Sequence, residues 1–151
     1  MRLSWNAVAG LVGLVFLLSG LWPSSEAWAG DRYGKQKVVY HFNSSDLKTI
    51  KGGLRNITNH LNAAPEAEIV VVAHGGGIVM FDPKKSTPDI LSKIQELKMR
   101  GVKFNLCANT VRKKKYDIKK DLKHISQADI VPSGVAEVAR LQGMGYVYIK
   151  P

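Results

Sequence analysis

The sequence predicts an α/β fold: one three-layer domain with a mainly parallel, five-stranded sheet flanked by helices. Three observations predict it. Strand-like and helix-like runs alternate from Lys37 to Pro151, the order that gives parallel strands joined by right-handed crossovers. The run IVVVA (Ile69–Ala73) is continuously apolar, the pattern of a strand covered on both faces. The chain has 151 residues and one cysteine, so a single domain must stand on its core, without a disulfide framework.

The elements follow in order. KVVYHF (Lys37–Phe42) is β-branched and aromatic and suits the first strand. NSSD (Asn43–Asp46) supplies cap-type residues, after which Leu47, Ile50, Leu54, Ile57 and Leu61 recur at helical spacing. Gly52 and Gly53 lie inside that helix and weaken it by about 1 kcal/mol each relative to alanine. AAPEAE makes a turn, and Ile69–Ala73 is the second strand. HGGG (His74–Gly77), the apolar IVMF and the turn DPKK come next. In STPDI, Ser86 or Thr87 caps a helix, Pro88 suits its first position and Asp89 complements its dipole. Ile90, Leu91, Ile94 and Leu97 form its apolar stripe, and Gly101 ends it. VKFNLC is the third strand. NTVRKKKYDIKKDLKH reads as a short helix and then a loop, and ADIVP as a short fourth strand. SGVAEVARLQGMG is a helix capped by Ser133, and YVYIK is the last strand.

The chain begins differently. Arg2 is followed by the apolar AVAGLVGLVFLLSGLW and then by Ala27-Trp28-Ala29, a small-x-small cleavage pattern. This predicts a secretory signal over residues 1–29, a flexible mature N-terminus over 30–36 and the α/β domain over 37–151. The expected location is the periplasm, with no stable membrane anchor once the signal is cut. The alternative is an uncleaved N-terminal helix that anchors the protein in the membrane. The net charge is +10, and Arg2 and Glu26 cancel, so the mature chain keeps it. That charge favours anionic partners. Nucleic acid is not expected, because the basic stretch lacks interleaved aromatics: Tyr116 is alone.

In an open α/β sheet, ligands bind beyond the carboxyl ends of the strands. Asn43 and Ser44 follow the first strand, His74–Gly77 the second, and Cys107 to Thr110 the third. The amides of Gly75, Gly76 and Gly77 could cradle an anion, or the glycines could simply form a tight turn. HGGG also resembles an esterase oxyanion loop, but the chain has no G-x-S-x-G elbow. His41, His60, His74 and His124 show no metal-ligand spacing, so neither a metal nor another cofactor is expected. Free cysteine is commonly a buried, inert residue. At Cys107 three features argue for a thiolate: the strand end, a following helix capped by Asn109 or Thr110, and the cations Arg112, Lys113, Lys114 and Lys115. By strand parity Cys107 shares a mixed face with Lys103 and Asn105, so its thiol need not face dry core. Residues 112–124 carry seven Lys or Arg against two Asp. They form a solvated face, a docking patch for an acidic partner, or a field that draws anions to Cys107.

VKFNLCANT, IVPSGVAEVARLQGMGYVYIKP and IVVVAHGGG resemble exported members of the DsrE/DsrF-like family, over nearly all of Lys37–Pro151. The F-x-x-C-x-N-T stretch and the P-S-G-V-A-E ending are the most specific parts. The resemblance implies a five-stranded fold, flavodoxin-like in general form, and homo- or hetero-oligomers, often trimers or hexamers. It also implies sulfur relay, in which a cysteine after the third strand carries a persulfide; Cys107 matches that position. The sequence therefore supports a sulfur-transfer protein that meets a donor or acceptor protein and small sulfur-containing anions such as thiosulfate or sulfite. Two other readings stand beside it. One is a non-catalytic binding or interaction module with a structural cysteine. The other is a thiol redox sensor pairing Cys107 between subunits.

Overall fold

A computed structural model describes residues 32–151, so the predicted signal or anchor over 1–29 lies outside the described residues. The strands are β1 (Lys37–Phe42), β2 (Glu68–Ala73), β3 (Lys103–Cys107), β4 (Ile130–Val131) and β5 (Val147–Ile149). The helices are α1 (Leu47–Ala63), α2 (Pro88–Met99), α3 (Ala108–Lys113), α4 (Ile118–Asp121) and α5 (Gly134–Gly143). Every pairing is parallel, in the order β4-β3-β2-β1-β5. The predicted α/β class and the five parallel strands are observed.

The topology explains the layers. From β1 to β4 the chain steps across the sheet in one direction, and right-handed crossovers keep the connecting helices on one face. From β4 to β5 it travels back past β1, so α5 must cross on the opposite face. The first face holds the larger core: Tyr40, Phe42, Val71 and Phe104 pack with Ile50, Leu54, Ile57, Ile90, Ile94 and Leu97. The second is smaller, with Val39, Val70 and Val72 covered by Val138, Leu141 and Tyr146. β2 lies between β1 and β3 and is buried on both faces from Ile69 to Ala73, which is why its sequence does not alternate.

Local signals set the helix starts. Asp46 caps α1, accepting from the Thr49 amide at 2.8 Å. Thr87 caps α2 with Pro88 at the first helical turn, and Ser133 caps α5. Asp117 caps α4, accepting from the Lys119 amide at 2.9 Å. That cap lies in the stretch read as a loop, where the sequence shows a short helix only before it. Gln36, at the end of the expected flexible stretch, is bonded through its carbonyl to the Glu68 amide and through its side chain to His60 at 2.6 Å.

The largest difference is after β2. Gly75–Phe81 is a 3-10 helix, not a turn followed by an apolar run. Ile78, Met80 and Phe81 are fully buried in the main core. The glycines admit it: a Cβ at Gly77 would overlap the Phe42 carbonyl, and one at Gly76 would lie 2.6 Å from the Ser45 nitrogen.

Candidate functional site

The carboxyl ends of β1, β2 and β3 bring the sequence-predicted residues to one edge. His74 extends β2: its amide donates to the Phe42 carbonyl at 3.1 Å. The Gly76 amide donates to the Asn43 carbonyl at 3.0 Å, joining the β1–α1 turn to the glycine segment. Ser44 turns inward on its own loop, where its hydroxyl accepts from the Asp46 amide. Asn43 and Ser44 therefore support the site from behind and do not line its cavity.

The glycine amides are already engaged. Gly75 donates to Thr110 Oγ1 at 3.0 Å, Gly76 to Asn43 and Gly77 to the His74 carbonyl at 2.9 Å. The expected amide cradle is thus filled by the protein's own acceptors. What the segment offers instead is a wall. His74, Gly75 and Gly76 face Asn109, Thr110, Lys113 and Lys114 across an open cavity of ≈ 540 Å³. Arg112 is turned onto the Asn109 side chain, and Lys115 takes a left-handed backbone, φ 56°, at the end of α3. Of the predicted basic patch, only Lys113 and Lys114 line the cavity.

Cys107 ends β3 and is the residue from which α3 starts, so the capping position expected at Asn109 or Thr110 falls on the cysteine itself. The chain enters the helix earlier, which places the amides of Asn109 and Thr110 in the first turn, beside the thiol whose pKa they help to lower. Cys107 is 6% exposed, more enclosed than its mixed strand face implied, because α5 covers it. Burial pushes the thiol pKa up. The Gly134 amide, the Thr110 amide and hydroxyl, and the Asn109 amide outweigh burial and hold it below the ordinary thiol value. The lowering thus comes chiefly from short-range donors, not from the lysine field.

Gly134, the first residue of α5, is wedged between two side chains. A Cβ there would lie 3.0 Å from His74 Cβ and 3.1 Å from Cys107 Cβ. Above it, Glu137 fixes α5 to β3. Its carboxylate accepts from Asn105 Nδ2 at 3.1 Å and from Arg140 at 2.8 and 2.6 Å, and chiefly the Arg140 contact holds it below the usual carboxylate range.

His74 stacks on His41, with ring centroids 4.7 Å apart. His41 Nδ1 is bonded to the Tyr148 hydroxyl at 2.8 Å, while Nε2 of both histidines is buried without a partner. Burial lowers both histidine pKa values; at His41 the His74 charge and then the Lys150 charge add to it, and at His74 the Lys150 charge does. The pair is therefore held neutral at neutral pH. Among the described residues, no group of three or more His, Cys, Asp or Glu could hold a metal ion.

His41, Tyr148, Asn105, Glu137 and Gly134 escape the sequence reading. Parity along β1 places His41 on the face opposite Tyr40 and Phe42, but it cannot say that His74 rests there. Gly134 sits in the specific P-S-G-V-A-E stretch, where its position just inside a helix start was the available signal.

A model of the DsrE/DsrF-like family matches residues 36–151. A solved structure of a protein of unknown function from Methanobacterium thermoautotrophicum is similar at 29% identity, with a TM-score of 0.68. The match covers 77% of this chain and 99% of that one. No curated protein matches the chain.

Proposed function

The chain belongs to the DsrE/DsrF-like family, and from that premise we propose that it is a periplasmic sulfur-binding or sulfur-transfer protein in which Cys107 carries sulfur as a persulfide. The observation that carries the reading is the donor shell around Cys107: three amides and a hydroxyl lower its pKa against the effect of burial. Such a shell suits a thiolate, the form that attacks sulfur.

The chemistry balances without an external oxidant. The Cys107 thiolate attacks the outer sulfur of a sulfane donor such as thiosulfate. A new S–S bond forms, the donor's own S–S bond breaks, and sulfite leaves with the electron pair. An acceptor thiolate then attacks the outer sulfur and restores the Cys107 thiolate. Lys113 and Lys114 hold the anionic donor in the neighbouring cavity, and His74 walls it. The exposed apolar residues Val135 on α5, Met144 just past its end, and Val147 and Tyr148 on β5 support assembly with further copies of the chain.

Intact mass spectrometry of reduced protein incubated with a sulfane donor tests the carrier role. A donor-dependent gain of one sulfur, absent in Cys107→Ser, is expected. No gain, where a control thiol protein gains sulfur, removes the carrier role.

A second reading rests on the burial of Cys107, 6% exposed. The cysteine is then structural and the cavity binds a small anion. Sulfite binding that is unchanged in Cys107→Ser, together with a thiol that alkylates only after unfolding, would favour this reading. The same burial gives no support to an intersubunit disulfide.

A further inference from the structure

A second cavity lies away from Cys107, in the groove between α1 and α2. Its volume, ≈ 470 Å³, falls within the roughly 300–1,000 Å³ of small-molecule sites. Leu54 and Ile90 form its floor, and Lys48, Lys51 and Arg55 on α1 face Lys93 on α2.

Gly52 lines this groove, and packing does not explain it. A Cβ there would meet nothing within 4 Å, and its backbone is ordinary helix. Glycine in a helix interior is nevertheless about 1 kcal/mol worse than alanine. Its neighbour Gly53 has a packing reason, since a Cβ there would lie 2.6 Å from the Phe42 ring. What the missing side chain at Gly52 does is leave the groove open.

The groove's polar groups restrict its occupant. The Thr58 hydroxyl is spent on the Leu54 carbonyl at 3.2 Å, and Asp89 is paired with Lys51 at 3.0 Å. Lys93 pairs with Glu96. Arg55 is exposed and has no carboxylate partner among the described residues. A peptide, sugar or nucleotide would bring many donors and acceptors and find few partners. The walls are carbon, including the methylene stems of the lysines, and cations stand above them. An apolar body with one anionic head fits both features. The planar guanidinium of Arg55 suits a carboxylate head bidentately.

We propose that the α1–α2 groove binds a monomeric single-chain amphiphile with an anionic head, such as a long-chain carboxylate, whose chain lies across Gly52 and whose head is held by Arg55. The site needs neither Cys107 nor sulfur chemistry.

Calorimetric titration of the protein with dodecanoate below its micelle-forming concentration tests the proposal, with dodecanol and acetate as controls. One dodecanoate per chain is expected, with each control weaker by at least about tenfold. Gly52→Leu fills the groove without backbone strain and should weaken binding by about tenfold or more while thermal stability holds. Arg55→Glu, at an exposed position, should weaken it comparably and keeps the test decisive if the leucine variant folds poorly. Full-strength dodecanoate binding in either folded variant, or acetate binding as tight as dodecanoate, overturns the proposal. Binding to phosphatidylglycerol vesicles without binding of monomeric dodecanoate also overturns it and assigns the surface to a membrane.

Discussion

Gly75, which opens the 3-10 helix after β2, and Thr110, in the first turn of α3, are joined by one hydrogen bond: the Gly75 amide donates to Thr110 Oγ1 at 3.0 Å. With its oxygen accepting from Gly75, the Thr110 hydroxyl is held in place, and it is among the groups that lower the Cys107 pKa. The glycine segment after β2 thus acts on the thiol through Thr110, not through free amides.

Thr110→Val keeps the shape and removes the hydroxyl. The Cys107 pKa should rise, and alkylation by iodoacetamide at pH 7 should slow by about tenfold, the equivalent of one hydrogen bond to a charged group. Thr110→Ser should retain the rate. Rate against pH for the three proteins checks this, and an unchanged profile in the valine variant would show that the hydroxyl does not act on the sulfur.

Gly134→Ala should be disproportionately costly for a surface helix start. The added methyl meets His74 Cβ at 3.0 Å and Cys107 Cβ at 3.1 Å, and neither can rotate away because both are the first side-chain carbons. Overpacking of this kind costs about 1–3 kcal/mol. Urea unfolding should show the loss, and the alkylation rate of Cys107 should change in the same variant as α5 lifts. Val135→Ala, one residue on and exposed, should show neither effect.

These two residues also show what the sequence can and cannot reveal. Strand alternation, caps and the apolar run of β2 fix the fold, because each is a local signal with one geometric meaning. Cys107, His74, Gly75 and Thr110 could be assigned to one edge from strand order alone. The pairing of Gly75 with Thr110, and the stack of His41 on His74, join residues 35 and 33 positions apart. Such contacts depend on register between strands, which no local pattern prints. The 3-10 helix over Gly75–Phe81 was hidden for another reason. Three glycines read as a turn wherever they stand, and only the closeness of Phe42 and Ser45 shows that they are there for packing.

Gly52 and Gly53 are adjacent and identical in sequence, yet they should respond oppositely. Gly53→Ala drives a methyl into the Phe42 ring at 2.6 Å and against Pro151 at 2.8 Å, so it should destabilise by about 1–3 kcal/mol. Gly52→Ala meets open space and should stabilise by up to about 1 kcal/mol through helix propensity. Chemical denaturation of the two variants side by side measures the difference. Equal effects would mean that Phe42 and Pro151 yield to the extra carbon.

The histidines make stability depend on pH in a stated direction. His41, His60, His74 and His124 all have pKa values lowered by burial in the folded chain. The unfolded chain carries the ordinary value, about 6.5. Above that value neither state is protonated and the full stability is present. As pH falls below it, the unfolded chain takes up protons that the folded chain refuses, and stability is lost until the lower folded values are reached. The stacked pair should contribute, because burial lowers both rings and His74 adds to the lowering at His41. Urea midpoints should therefore fall between pH 7.5 and pH 5.5, and the double variant His41→Gln, His74→Gln should flatten much of that slope. Glu137 and Asp82 do not confound the comparison. Their pKa values are lowered, so their contribution is lost only as pH drops below the ordinary carboxylate range, near 4. A slope that survives in the double variant would place the titration at His60 and His124, and would free the His41–His74 stack from any part in it.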